Sequence, residues 1–287
     1  MKERLGSFLL SSQFQASILA PPLRALVRAT QGLYRYSPQF LSEFQVLSRP
    51  HYSYGMLHAA DLARRLGCDA ISAIEFGVAG GNGLAFMNDF AKEVRRATGV
   101  TIHCYGFDTG KGMPDPEGAK DLPYWFQAAQ YPMDEAKLRA RIPDSTLVLG
   151  DINETVDSFV ESYRPAPIGV IFNDTDYWSS TLASFRLFES ASKHPECFLP
   201  RIFKYFDDII GTDLEMYGPY NGQLAAINAF NQNHDDMKIH LNQNLLGRVD
   251  YSWRFQIYYC HLFNHPRYDA YVGGAQQDAL HDLLHLH

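Results

Sequence analysis

The stretch Ala70 to Phe90 reads AISAIEFGVAGGNGLAFMNDF. Ile71 to Phe76 is a short apolar run with β-branched residues, the pattern of a buried strand. The chain then passes through Gly77, Gly80, Gly81 and Gly83 into Leu84-Ala85-Phe86-Met87, the start of an amphipathic helix. Strand, glycine-rich turn and helix form the opening unit of a doubly wound α/β sheet, which binds ligands at the carboxyl ends of its strands. No register supplies the G-x-G-x-x-G of a dinucleotide site: Gly77 is followed two on by Ala79, and Gly81-Asn82-Gly83 three on by Phe86. Glu75, two residues before the first glycine, would repel a phosphate and favours a cationic ligand.

Downstream, the same alternation continues. Ile102–Asp108, Thr146–Asp151, Ile168–Asp174 and Ile202–Asp208 read as strands, with helices over 154–163, 180–191 and 224–230. The strands are apolar with little alternation, as expected when helices cover both faces of a parallel sheet. Four of them end on acids, Asp108, Asp151, Asp174 and Asp207-Asp208, and the first holds Glu75 near its end. In a parallel sheet these carboxylates converge on one crevice. Met237–Leu241 and Arg254–Phe263 read as an antiparallel hairpin at the sheet edge.

Upstream, Tyr52–Leu66 reads as a helix leading into the first strand. Residues 1–50 form a helical extension with apolar spacing over 23–33 and 40–47, broken at Pro21-Pro22, Pro38 and Pro50. It packs on the edge of the main domain or on a neighbouring subunit in a homo-oligomer, or else serves as a lid. The main domain is expected over 51–270, with a tail over 271–287. The tail histidines His281, His285 and His287 have metal-ligand residue types but read as a solvated end.

The net charge of −7 and the 46% hydrophobic content of the 287 residues favour a globular chain with a full core. They argue against nucleic acid or an anionic membrane as partner. Cys68, Cys104, Cys197 and Cys260 show no C-x-x-C spacing and read as core thiols of a reducing compartment. The apolar start is interrupted by Gln13 and Gln15, so a cytoplasmic protein without a cleaved signal is expected.

Glu75-Phe76-Gly77-Val78-Ala79-Gly80-Gly81 resembles motif I of the class I S-adenosylmethionine-dependent methyltransferases, in particular the sugar O-methyltransferases of the macrocin type. F-D-T-G-K-G-M-P at 107–114 is similar to that family's F-D-S-F-E-G-L-P. Asp174 to Thr181 is similar to its D-G-D-L-Y-E-S-T, and FDDIIG at 206–211 to its V-D-D-Y-G. The family's tyrosine falls at Trp178, with Tyr177 one place earlier, and Asn173 replaces a commonly apolar residue.

The resemblance implies a Rossmann-like fold with Glu75, Gly77, Val78, Gly81, Asp108, Asp151 and Asn173 around the cofactor. Asp108 would hold the ribose diol, although a turn aspartate is the plainer reading of the residue alone. Asp151 would meet the adenine, cap the following helix, or both. Asp174, Asp207 and Asp208 would bind Mg²⁺ or another divalent cation, and Asp174 or Asp176 would take the proton of a hydroxylated small-molecule acceptor such as a sugar, natural product or phenol. The insert around Lys193–Pro200 is expected to lengthen the connection between the two acidic motifs. Tyr124-Trp125-Phe126, Tyr177-Trp178, Tyr217 and Tyr220 are either acceptor wall or ordinary packing. Two other functions stay open: a metal-independent methyltransferase, and a non-catalytic adenosyl-binding or interaction protein.

Overall fold

A computed structural model describes residues 20–274, 277 and 284. Three helices come first: α1 (Ala20–Thr30), α2 (Pro38–Glu43) and α3 (Pro50–Arg65). The alternating region continues as β1 (Ala70–Phe76), α4 (Asn82–Thr98), β2 (Thr101–Asp108), α5 (Glu135–Arg141), β3 (Ser145–Leu149), α6 (Ile152–Tyr163), β4 (Ile168–Asn173), α7 (Trp178–Phe185), β5 (Phe198–Phe206) and α8 (Gly222–Asn233). The hairpin strands β6 (Met237–Leu241) and β7 (Ile257–Leu262) close the chain. One sheet holds all seven strands in the order β3-β2-β1-β4-β5-β7-β6, and β7 pairs antiparallel with both neighbours.

The apolar residues of the strands divide between two helical layers. Tyr52, Met56, Ala59 and Ala63 of α3, with Leu84, Met87 and Val94 of α4, cover Ile71, Ala73, Val170 and Phe172. On the opposite face, Val156, Phe159, Phe185, Ile227 and Phe230 cover Ile74, Phe76, Phe107, Ile171 and Phe206. The small residues of α3 let it lie close on the sheet, where Gly55 approaches the side chain of Val170. Every residue of β4 is buried, which explains its unbroken apolar pattern.

Strand register sets where the acidic strand ends lie. Phe76 pairs with Phe107 on one side and Asn173 on the other, and Asn173 pairs with Phe206. The next residues, Gly77, Asp108, Asp174 and Asp207, therefore leave the sheet at one level. The strand order reverses at β1, between β2 and β4, which opens a crevice there.

Several boundaries differ from the sequence reading. Strand β3 stops at Leu149, because Gly150 takes φ +143 and Asp151 becomes the N-cap of α6. Strand β5 starts at Phe198, so the end of the expected insert is strand rather than connection. The helix expected through Ala191 tightens after Phe185 into a 3₁₀ turn over Arg186–Ser192. Strand β7 begins at Ile257, three residues late, because the backbone from Tyr251 to Gln256 folds into turns.

Helix α2 packs on α3 through the Ser42–Ser53 hydroxyl pair (2.8 Å). Gln45 reaches the Asp250 carbonyl (2.8 Å), and Glu43 pairs with Arg248 at 3.3 Å. The three tail histidines and the first 19 residues lie outside the described residues. No described helix is long and apolar enough to cross a membrane.

Candidate active site

The turn after β1 is shaped by contacts that only glycine allows. Gly77 has φ +84, and a Cβ there would fall 1.7 Å from the Asp174 carbonyl oxygen. The turn thus lies directly on the β4 exit. Gly81, at φ +83, starts α4 without a side-chain cap. Gly83 leaves the space filled by the Glu75 carboxylate, whose Oε1 would lie 1.7 Å from a Cβ.

Glu75 points inward, behind the turn, and does not face the crevice. It is 1% exposed, accepts a 2.5 Å hydrogen bond from the Tyr52 hydroxyl, and leaves Oε2 without a partner among the described residues. Burial pushes its carboxyl up to about 7, against the pull of Tyr52 and Arg49. Val78 is also buried, its methyl packed over Gly106. The Asn173 side chain is fully buried and donates to the Ser184 hydroxyl (2.9 Å), while the main-chain carbonyl of Asn173 accepts from Asp207 N–H (3.0 Å). Gly81 borders the outer face of α4 beside Leu138. Of the residues grouped from sequence around the cofactor, Gly77, Asp108 and Asp151 line the crevice. Glu75, Val78, Gly81 and Asn173 stand behind or beside it.

Asp108 ties the two strand ends together. Its Oδ2 accepts from Val78 and Ala79 N–H, both at 2.9 Å, and its Oδ1 from Gly110 N–H at 2.7 Å. Asp151 accepts from Asn153 N–H (2.8 Å) and so caps α6, while also lining the crevice. The capping reading is observed directly.

At the β4 and β5 exits, Asp174, Asp207 and Asp208 each present an oxygen within 4.8 Å of the others. Burial and then the Asp207 charge raise the Asp174 carboxyl well above its usual range. Asp208 is raised by burial and then by Asp176. Asp176 itself is pushed up to about 6, chiefly by burial. Hydrogen bonds hold this crowd of like charges in place. Asp176, at φ +55, donates its N–H to Asp208 Oδ2 (2.9 Å). Gln223 in the first turn of α8 accepts from Asp208 N–H (3.0 Å) and donates to the Asn173 carbonyl (3.2 Å). The Tyr205 hydroxyl donates to Asp207, and Gln256 donates to the Asp207 carbonyl (2.9 Å). The sequence reading missed Tyr205, Gln223 and Gln256. Gln223 and Gln256 lie 15 residues or more from the acids, and no motif flags them.

The first turn of α3 and the residue before it supply further side chains beyond the reach of the motifs. Tyr52 stacks on Phe172 of β4 at 4.0 Å, and the Arg49 guanidinium sits 5.0 Å from the Tyr52 ring centre. His51 stacks on Tyr205 at 4.4 Å, and burial together with Arg49 pushes its imidazole down to about 3.

The long loop 109–134 roofs the crevice. Asp121, fully buried, accepts from Glu117 N–H, Ser179 N–H and Ser179 Oγ, each at 2.8 Å. It thereby satisfies an orphan N–H at the start of α7 from within the loop. Tyr177 and Phe126 are buried together with Leu122, so these two aromatics pack the roof. Tyr220 is 85% exposed, whereas Tyr131, not singled out from sequence, lines the crevice. The crevice walls carry Asp108, Glu117, Asp151, Asp174 and Asp176 and, among the described residues, no Lys or Arg.

The structure superposes on crystalline CalS11, a calicheamicin methyltransferase, over 83% of this chain and 90% of that one. The TM-score is 0.52 at 19% identity. This chain has the class I methyltransferase fold. The O-methyltransferase NovP matches over 72% of this chain and 78% of its own, with a TM-score of 0.48 at 13% identity. MycE, a methyltransferase of mycinamycin biosynthesis solved with Mg, SAH and mycinamycin VI, matches over 91% of this chain and 62% of its own. Its TM-score is 0.43 at 14% identity. No protein-family profile and no curated protein sequence matches the chain.

Proposed function

We propose that the protein transfers the methyl group of S-adenosylmethionine to a hydroxyl of a small-molecule acceptor, with a divalent cation held by Asp174, Asp207 and Asp208. The observation that carries this reading is the adjacency of two features. A cation-favouring crevice sits at the glycine turn, and a cluster of three carboxylates at the next two strand exits adjoins it through Asp174. The methyltransferase activity of CalS11, with which the chain shares its fold, supports it.

The residues fit both groups. A sulfonium and an ammonium suit a wall with five carboxylates and no base, whereas the phosphates of a nicotinamide or nucleotide cofactor do not. Hard carboxylate oxygens are the donors that Mg²⁺ takes, and three of them this close repel unless a cation or proton intervenes. A bound divalent cation would offset that repulsion and lower the pKa of an acceptor hydroxyl.

The chain's own residues do the rest. Asp108 and Asp151 line the part of the crevice suited to the adenosine. Asp176, on a left-handed turn beside the cluster, is the candidate to accept the acceptor's proton, with Asp174 as the alternative. Alignment of the reacting atoms accounts for much of such a reaction's acceleration. Residues of the segment 109–117, with Gln130 and Tyr131, form the part of the 109–134 loop that lines the crevice and would shield the reaction from water.

Calorimetric titration with S-adenosylmethionine, with Mg²⁺ and with a chelator, tests the proposal. Micromolar binding is expected, followed by methyl transfer to a panel of sugars and phenols only when Mg²⁺ is present. Transfer that survives the chelator would favour metal-independent chemistry. Absence of binding under both conditions would leave a fold without this function.

A further inference from the structure

The crevice has a direction. Asp151 and Asn153 lie at the β3 end, Asp108 at the β2 exit, and Gly77 and Asp174 at the β1 and β4 exits. With the adenosine at the first end, the amino-acid moiety of the cofactor lies over β1 and β4. That moiety carries a carboxylate as well as an ammonium, and the acidic walls have no cation to receive it.

One does stand nearby. Arg49 occupies the non-helical position before α3 (φ −129, ψ 76), with Pro50 fixing the first helical residue. Its guanidinium lies over the Tyr52 ring, and that ring is stacked on β4 with its hydroxyl on Glu75 of β1. Its charge acts on the neighbouring Glu75, opposing the effect of burial on that carboxyl. Among the described residues no carboxylate is within ion-pair distance of it, whereas Arg64, Arg141, Arg186 and Arg248 each hold one. Arginine is suited to this task because its planar fork matches a carboxylate.

We propose that Arg49 is the receptor for the carboxylate of the cofactor's amino-acid moiety, delivered over the β1–β4 crevice from the position just before α3. This rests on the methyltransferase reading. The competing role is a diffuse one, in which Arg49 only offsets the charge of the acidic cluster.

The test uses two ligands, S-adenosylmethionine and its decarboxylated form, against wild type, Arg49→Met and Arg49→Lys, with melting curves confirming that each variant is folded. Wild type is expected to prefer the carboxylate-bearing ligand. Arg49→Met should weaken S-adenosylmethionine binding by about 10- to 100-fold, leave the decarboxylated ligand unweakened, and so abolish the preference. Arg49→Lys should fall between. Equal weakening of both ligands, or no change in either, would overturn the assignment while leaving the methyltransferase reading intact. A wild-type protein that binds neither ligand would overturn that reading, and this assignment with it.

Discussion

The backbone of Gly77 rests against the carbonyl of Asp174, so close that a single added Cβ would sit 1.7 Å from that oxygen. The contact joins the turn after β1 to the first acid of the candidate metal site, and it makes the two motifs one structural unit. Gly77→Ala combines a left-handed φ with a clash against main chain that cannot swing aside. It should cost about 3 kcal/mol or more by urea unfolding and weaken S-adenosylmethionine binding at least about tenfold. Gly80→Ala, where no described residue lies within 4 Å of the added carbon, should change stability by less than about 0.5 kcal/mol.

Mg²⁺ should stabilise the protein through the three aspartates. At about 100 times its dissociation constant, a ligand specific to the folded state adds roughly 2.7 kcal/mol. Asp207→Asn and Asp174→Asn should each remove most of that gain in a melting experiment. Asp174→Asn should also abolish turnover while leaving cofactor affinity nearly unchanged. A full Mg²⁺ shift in both variants would place the ion elsewhere.

Asp121 is the tie between the roof and α7. Asp121→Ala strands three donors in a buried site, at a cost of about 2–3 kcal/mol. Hydrogen exchange should quicken at Glu117 and Ser179 before the sheet amides respond. Unchanged exchange at both amides would show that the roof does not depend on this carboxylate.

Lys204 offers a pH test in the apolar core. It is 1% exposed, with its ammonium among the rings of Phe185, Phe188 and Phe206 at 4.7, 5.1 and 5.1 Å. Burial pushes its pKa down from 10.5 to about 7, although the ring faces favour the charged form. Between those two values the unfolded chain binds the proton and the folded one does not. Stability should therefore rise with pH across that window, by up to about 1.4 kcal/mol per pH unit, and the penalty should be complete below about 7. Lys204→Met should flatten this dependence and raise the melting temperature at about pH 7. A variant with the same slope would trace the effect to other groups.

How far the sequence could be read depended on how local each signal is. The strands from Ala70 to Phe206 announce themselves because each is an apolar run ended by a glycine or an acid, and helices on both faces remove any alternation. Asp174, Asp207 and Asp208 were recognisable because each comes directly after such a run. Boundaries slipped where backbone turns intervened, as at Gly150 and between Tyr251 and Gln256. The aromatic residues were ambiguous for a different reason. Nothing local distinguishes Tyr177, sealed against Phe126, from Tyr131, open to the crevice.

The sequence by itself determined the parallel α/β order, the glycine turn and the gathering of acids at one sheet edge, because hydrophobic period and turn chemistry are properties of neighbouring residues. Only the tertiary structure decided which way each turn residue faces. Glu75 and Asn173 turn inward to Tyr52 and Ser184, while Gly77 and Asp108 face the crevice. It also brought Arg49 and His51 from the entry to α3, Asp121 from the roof, and Gln223 and Gln256 from beyond β5 to the acidic strand exits and the turns around them. Those contacts depend on strand register and on helix packing between segments far apart in the chain, which no local pattern encodes.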